Sequence, residues 1–147
     1  GFDDIARKIC NKPNVVIGSY NFTVDRSVMK FPIIGLGCME LFARIRNYCF
    51  WLPYGDQGYF IARDMYELIG GFPNVFIGED LKLTNNAREF ALNNDGIIHV
   101  DNMNLYCSPK RWEKNGVAYN TFWNQYCVFR LVYSKWNDKQ IYKLYYG

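Results

Sequence analysis

An α/β fold, a mixed sheet flanked by helices with a helical appendage at the C-terminus, is what the sequence predicts. Two observations carry this. Strand-like and helix-like apolar patterns alternate through residues 1–108, and from Pro109 onward the pattern is helical to the end. Half of the 147 residues are hydrophobic and 18% are aromatic, enough to bury a core and too many for a disordered chain. The length suits one domain or a large part of one.

Taken in order, Phe2 to Cys10 reads as a short helix. Phe2, Ile5, Ala6 and Ile9 recur at helical spacing, Asp3 and Asp4 sit in the first turn, where the helix dipole favours anions, and Asn11 to Pro13 ends it. Asn14 to Asp25 is rich in strand formers, with a bulge expected near Gly18-Ser19. Leu36 to Phe50 is helical; Glu40, Arg44 and Asn47 fall on one face, Leu36, Met39, Phe42 and Cys49 line much of the rest, and Glu40 and Arg44 have the spacing of an i,i+4 ion pair. Trp51-Leu52-Pro53 stops this helix. Tyr59 to Ala62, short, apolar and bounded by turns, reads as a buried strand. Asp64 is placed to cap a helix over 65–69 that stops at Gly70 or Gly71. Glu79 to Leu92 is the next helix, with Leu83, Ala87, Phe90 and Ala91 as its buried stripe. Gly96 to Val100 and Asn104 to Cys107 read as two short strands or one interrupted strand. Helices over 117–133 and 139–145 complete the chain.

The net charge of +3 gives no grounds for a nucleic-acid partner, which calls for a dense basic patch. Five cysteines, Cys10, Cys38, Cys49, Cys107 and Cys127, form no Cys-X-X-Cys pair, and His99 stands alone, so no metal-ligand spacing is present. Free thiols in a reducing compartment, the cytoplasm, are the expectation. His99 reads as a strand residue with a satisfied hydrogen bond. The chain begins at Gly1, shows no signal peptide and has no apolar run of about 18 residues, which is expected of a piece lacking something upstream. Tyr119, Phe122, Trp123, Tyr126, Phe129 and Tyr133 recur every three to four residues near the C-terminus. Such a stripe packs on the sheet or a partner, or lies at a membrane surface, with Lys110, Arg111, Lys114, Arg130 and Lys135 available to anionic lipid.

Three stretches carry candidate chemistry. Glu79-Asp80 opens a helix, where acidic residues often serve only to meet free N–H groups; a carboxylate fixed there is also well mounted to act as a general base. Gly55-Asp56-Gln57-Gly58 is a polar turn whose glycines permit positive φ and whose carboxylate and amide suit sugar hydroxyls. In Ser108-Pro109-Lys110-Arg111-Trp112, a helix start, a basic pair and a core Trp are the plain account; an Arg fork also matches phosphate oxygens, and a Trp ring suits a sugar face.

The order of these parts resembles the acceptor-side half of an inverting family-2 glycosyltransferase of the GT-A fold, a hexosyltransferase type. Tyr54-Gly-Asp-Gln-Gly58 precedes Phe60 and Arg63, Gly70-Gly-Phe-Pro73 precedes Glu79-Asp80 at the expected distance, and a basic-Arg-Trp motif follows. Ser108 replaces the Gln of the synthase members' Gln-X-X-Arg-Trp. Lys110 replaces the first Arg of the bacterial-type subgroup's Ser-X-Arg-Arg-Trp. The resemblance implies Asp80 as catalytic base, Gly55, Asp56, Gln57, Glu79 and Trp112 as acceptor and sugar contacts, and Arg111 as a diphosphate contact. It makes residues 1–108 the acceptor-side part of the domain and 109–147 a C-terminal helical extension, with the N-terminal nucleotide-binding half absent. It further implies a nucleotide-sugar donor, a glycan or lipid-linked acceptor, and a divalent metal (Mg²⁺ or Mn²⁺) whose Asp-X-Asp ligands are not in this chain, so the chain alone is expected to be inactive. The other function class open to it is a non-catalytic remnant or binding module that keeps the fold and contacts a partner or a membrane surface.

Overall fold

The computed structural model describes residues 1–134 and 136–147; Lys135, one of the cations expected near the aromatic helix, lies outside them. Among the described residues three strands form a mixed sheet in the order β2-β1-β3. The central strand β1 (Val15–Val24) runs antiparallel to the two-residue β2 (Tyr59–Phe60) and parallel to β3 (Ile97–Cys107). Nearly every residue of β1 is buried, which is why its sequence reads as a continuous run of strand formers. Gly18 is required by close approach: a Cβ there would overlap the Phe60 ring on β2.

Among the described residues seven helices flank the sheet: α1 (Phe2–Cys10), α2 (Leu36–Phe50), α3 (Arg63–Leu68), α4 (Glu79–Asn93), α5 (Lys110–Asn115), α6 (Val117–Tyr133) and α7 (Asp138–Tyr146). Two 3₁₀ turns, Arg26–Val28 and Gly55–Gln57, join them. The core has three parts. Leu83, Ala87 and Ala91 of α4 pack on Val16, Ile17 and Ile98. Ile9 of α1 packs with Val15, Tyr20 and Phe60. Leu36 and Ala43 of α2 pack on Phe22 and Val24, with Trp112 and Val117 against them.

Several local expectations are corrected. β2 stops at Phe60 because Ala62 already occupies the N-cap position of α3, and Asp64 lies inside the first turn, its Oδ1 accepting the Met65 N–H (2.9 Å). Of the two readings of 96–107, the single interrupted strand is the one that forms: β3 is one strand, and the interruption is a bulge at residues 101–103, where the register jumps from Ser19↔Val100 to Asn21↔Asn104 and Asp101 accepts the Met103 N–H. α2 is turned over relative to its apolar pattern. Asn47 is buried at 2% exposure, whereas Phe42 is 69% exposed. Glu40 does not pair with Arg44; both its oxygens accept from the Arg26 guanidinium (2.9 and 2.8 Å), and Oε1 also takes the Val24 N–H (2.8 Å). The backbone donor at the end of β1 sets that preference, since it adds a bond the i,i+4 partner could not.

Candidate functional site

The 3₁₀ turn Gly55–Gln57 is held from behind. Arg46 of α2 places its guanidinium 3.5 Å from the centre of the Tyr54 ring and donates to Leu52 O (2.8 Å) and Gln57 Oε1 (2.9 Å). Gln57 Oε1 also accepts the Tyr54 N–H, and Gln57 Nε2 donates to Tyr20 O (2.9 Å) on β1. The turn is therefore fixed to both the sheet and α2, with Gly55 and Asp56 left facing outward.

The start of α4 meets it. Gly78 has a left-handed φ of 80°, which lets the chain turn sharply into the helix, and a Cβ there would lie 2.9 Å from Leu131 of α6. Asp80 Oδ2 accepts the Gly55 N–H (3.0 Å), and Oδ1 accepts the Leu81 N–H (2.7 Å). Each carboxylate oxygen spends one lone pair on the backbone and keeps one. Behind it the Tyr59 and Thr84 hydroxyls lie 2.9 Å apart and both reach Pro53 O, tying α4 to the segment before the turn.

These elements, with α6 and α7, enclose a groove of ≈ 450 Å³. Asp56, Glu79, Asp80 and Arg111 all line it, so four of the residues singled out in the sequence converge although 55 positions separate the first from the last. Gly55 borders an adjoining depression shared by Asp56, Glu79 and Asp80. Arg111 Nη2 donates to Asn124 Oδ1 (2.9 Å), the Tyr145 hydroxyl donates to the same oxygen (2.8 Å), and the guanidinium lies 4.9 Å from the centre of the Tyr145 ring. Phe76, Ile77, Val128 and Leu131 supply the apolar side.

Two expected contacts are corrected. Gln57 is 0% exposed and its amide is engaged by Tyr20, Tyr54 and Arg46, so it is a strut beneath the turn, out of reach of a ligand. Trp112 packs edge-on against Phe22 (ring centres 5.8 Å apart) in the α2 part of the core and does not line the groove. The residues sequence reasoning missed are Arg46, Asn124 and Tyr145. Arg46 reads as one of several helix cations, and no local pattern marks Asn124 or Tyr145 as neighbours of Arg111.

The electrostatics are uneven. Asp56 is exposed and lines the groove; desolvation pushes its carboxyl above the usual range, the Arg46 charge pulls it down, and Asp80 pushes it up again. Burial likewise raises the Tyr54 and Tyr59 hydroxyls. Burial, then the charge of Asp56, raises the Cys107 thiol to about 11, and its Sγ–H donates to Asp56 O. All five cysteines are unpaired.

Searches of family models, curated proteins and solved structures find no match to this chain. What the groove can do chemically rests on its own residues: a cluster of carboxylates on rigid backbone, one guanidinium opposite, and an apolar wall. Among the described residues no group of three or more His, Cys, Asp or Glu side chains is placed to hold a metal ion. His99 is on β3 outside the groove; its Nε2 is 3.7 Å from Asp101 Oδ2 and has no hydrogen-bond partner, which corrects the expectation of a satisfied histidine.

Proposed function

We propose that this chain is the acceptor-side part of an inverting family-2 glycosyltransferase of the GT-A fold, moving a sugar from a nucleotide-sugar donor to an acceptor hydroxyl. One observation carries the assignment: the Asp80 carboxylate is tied through Gly55 into the same groove as Asp56, Glu79 and Arg111. Asp80 takes the proton from the acceptor hydroxyl. The freed oxygen attacks the anomeric carbon, the bond from that carbon to the diphosphate breaks, and the configuration inverts. Asp56 and Glu79 hold acceptor hydroxyls, and Arg111, the only cation lining the groove among the described residues, faces the charge left on the diphosphate. Unpaired thiols fit the cytoplasm as the place of action.

The test is Asp80→Asn, measured on this chain joined to the donor-binding half that the proposal requires. Asn keeps an oxygen to accept the Gly55 N–H but cannot take the proton. Transfer is expected to fall by about 10³-fold with donor affinity unchanged. Transfer at the unsubstituted rate would remove Asp80 from this role. A second reading, a non-catalytic binding module, is favoured by the use of Gln57 and Trp112 in packing; it requires that no donor and acceptor pair be turned over.

A further inference from the structure

α2 carries its most regular apolar stripe on its outer side. Cys38, Leu41, Phe42, Ile45, Tyr48 and Cys49 recur at helical spacing and all are exposed, while its inner face holds the small Ala43 and a buried Asn47 whose amide has no partner. A helix that only needed to cover the sheet would be arranged the other way round. α6 repeats the feature: Phe122 is 70% exposed and Tyr133 75%, with Phe129 and Val132 on the same helix also exposed. The two helices touch, with Val117 of α6 against Gly35 at the head of α2.

The charges around these stripes are mainly cationic. α6 contains no carboxylate. The single one in α2, Glu40, is held by Arg26 and the Val24 N–H. In α5, which leads straight into α6, Glu113 accepts the Lys30 N–H, while Lys110 and Lys114 are exposed, as is Arg44 on α2. A symmetric pairing of two copies through these helices would set like cations together with no free carboxylate on either helix to answer them. An anionic lipid surface answers them directly. No described helix is long and apolar enough to cross a bilayer.

We infer that α2 and α6 together form a docking face for an anionic membrane surface, with the aromatic and aliphatic side chains entering the headgroup boundary and Arg44, Lys110 and Lys114 meeting lipid phosphates. This stands apart from the transfer proposal: it needs no reaction, and it can fail while that one holds. It adds α2, whose sequence pattern points inward, to the α6 stripe that is legible as an amphipathic face.

The experiment is sedimentation of the purified chain with vesicles of phosphatidylcholine alone and of phosphatidylcholine mixed with phosphatidylglycerol. Binding to the mixed vesicles is expected to be at least tenfold stronger than to the neutral ones and to weaken severalfold as salt rises from about 0.05 to about 0.3 M. Phe42→Ser with Tyr48→Ser on α2, and Phe122→Ser with Phe129→Ser on α6, are expected to cut it about tenfold or more each, with circular dichroism unchanged because these side chains are exposed. No binding to anionic vesicles, or binding that ignores either pair of substitutions, overturns the proposal. So does a dimer, seen by sedimentation velocity, that the same substitutions dissolve while vesicle binding is unaffected.

Discussion

At the scale of single residues, Gln57 and Asp56 are sequence neighbours with opposite tasks. Gln57 is buried and fully engaged, so replacing it strands the Tyr20 carbonyl, the Tyr54 N–H and one Arg46 donor together. Gln57→Ala is expected to lower stability by about 3 kcal/mol, read from urea unfolding, because unpaired buried groups cost far more than a hydrogen bond yields. Asp56 runs the other way. Its carboxyl is raised, by desolvation first and by Asp80 as well, so the folded chain holds this proton more tightly than the unfolded chain does. Stability from this group is therefore fully present at low pH. It is lost as pH rises from the ordinary carboxylate value of 3.8 through the raised folded value, and it is flat beyond. Asp56→Asn is expected to melt higher than the parent at neutral pH, with the gap closing as pH falls towards 4, followed by thermal melts across pH. A carboxylate that costs stability where it sits is consistent with the acceptor-binding role proposed for Asp56.

At the scale of elements, the helix and strand limits were largely legible because periodicity is a local property: α1, α2 and α6 lie where their apolar spacing puts them. The facing of α2 was not legible. A single sequence shows which residues share a stripe but not which side of it meets the sheet, and here the tie between Glu40, Arg26 and the end of β1 settles the matter. Burial, the largest influence on Glu40, raises its carboxyl, but the bonds from Arg26 and Val24 and the charges of Arg26 and Arg44 together hold it below the usual range. A lowered carboxylate contributes stability above its unfolded pKa and loses it as pH falls through the folded value. Glu40→Gln is expected to cost about 1–2 kcal/mol at neutral pH and nothing in acid below that value, measured by denaturant unfolding at both. If the loss were the same at both, the ion pair would not be what orients α2.

At the scale of the whole molecule, the groove exists only because distant stretches meet. The turn at 55–57, the start of α4, Arg111, and the two C-terminal helices each contribute a wall. The convergence of Asp56, Glu79, Asp80 and Arg111 could be anticipated from motif order, whereas the partnership of Arg111 with Asn124 and Tyr145 could not, since it depends on how α7 returns across α6. α7 is anchored by the fully buried Ile141, by its N-cap Asn137, by the Tyr145–Asn124 bond to α6, and by a clasp at its start: Asp138 Oδ2 accepts the Phe76 N–H (2.8 Å), beside a contact between the Phe76 and Tyr142 rings with centres 6.1 Å apart. That bond is the first cause of the lowered Asp138 pKa, ahead of the opposing effect of desolvation. The group is lowered, so its hold on the 76–78 segment is present at neutral pH and is lost as pH falls through its folded value. The Phe76 amide is thus expected to shift in NMR spectra with the Asp138 titration, and Asp138→Ala is expected to abolish that shift and to move the Tyr142 and Tyr145 ring signals at neutral pH. The ring signals matter because they line the groove while Asp138 does not: if they stay fixed when the bond is removed, α7 is held by its buried side and the Tyr145–Asn124 bond, and the wall beside Asp80 is independent of the clasp at Phe76.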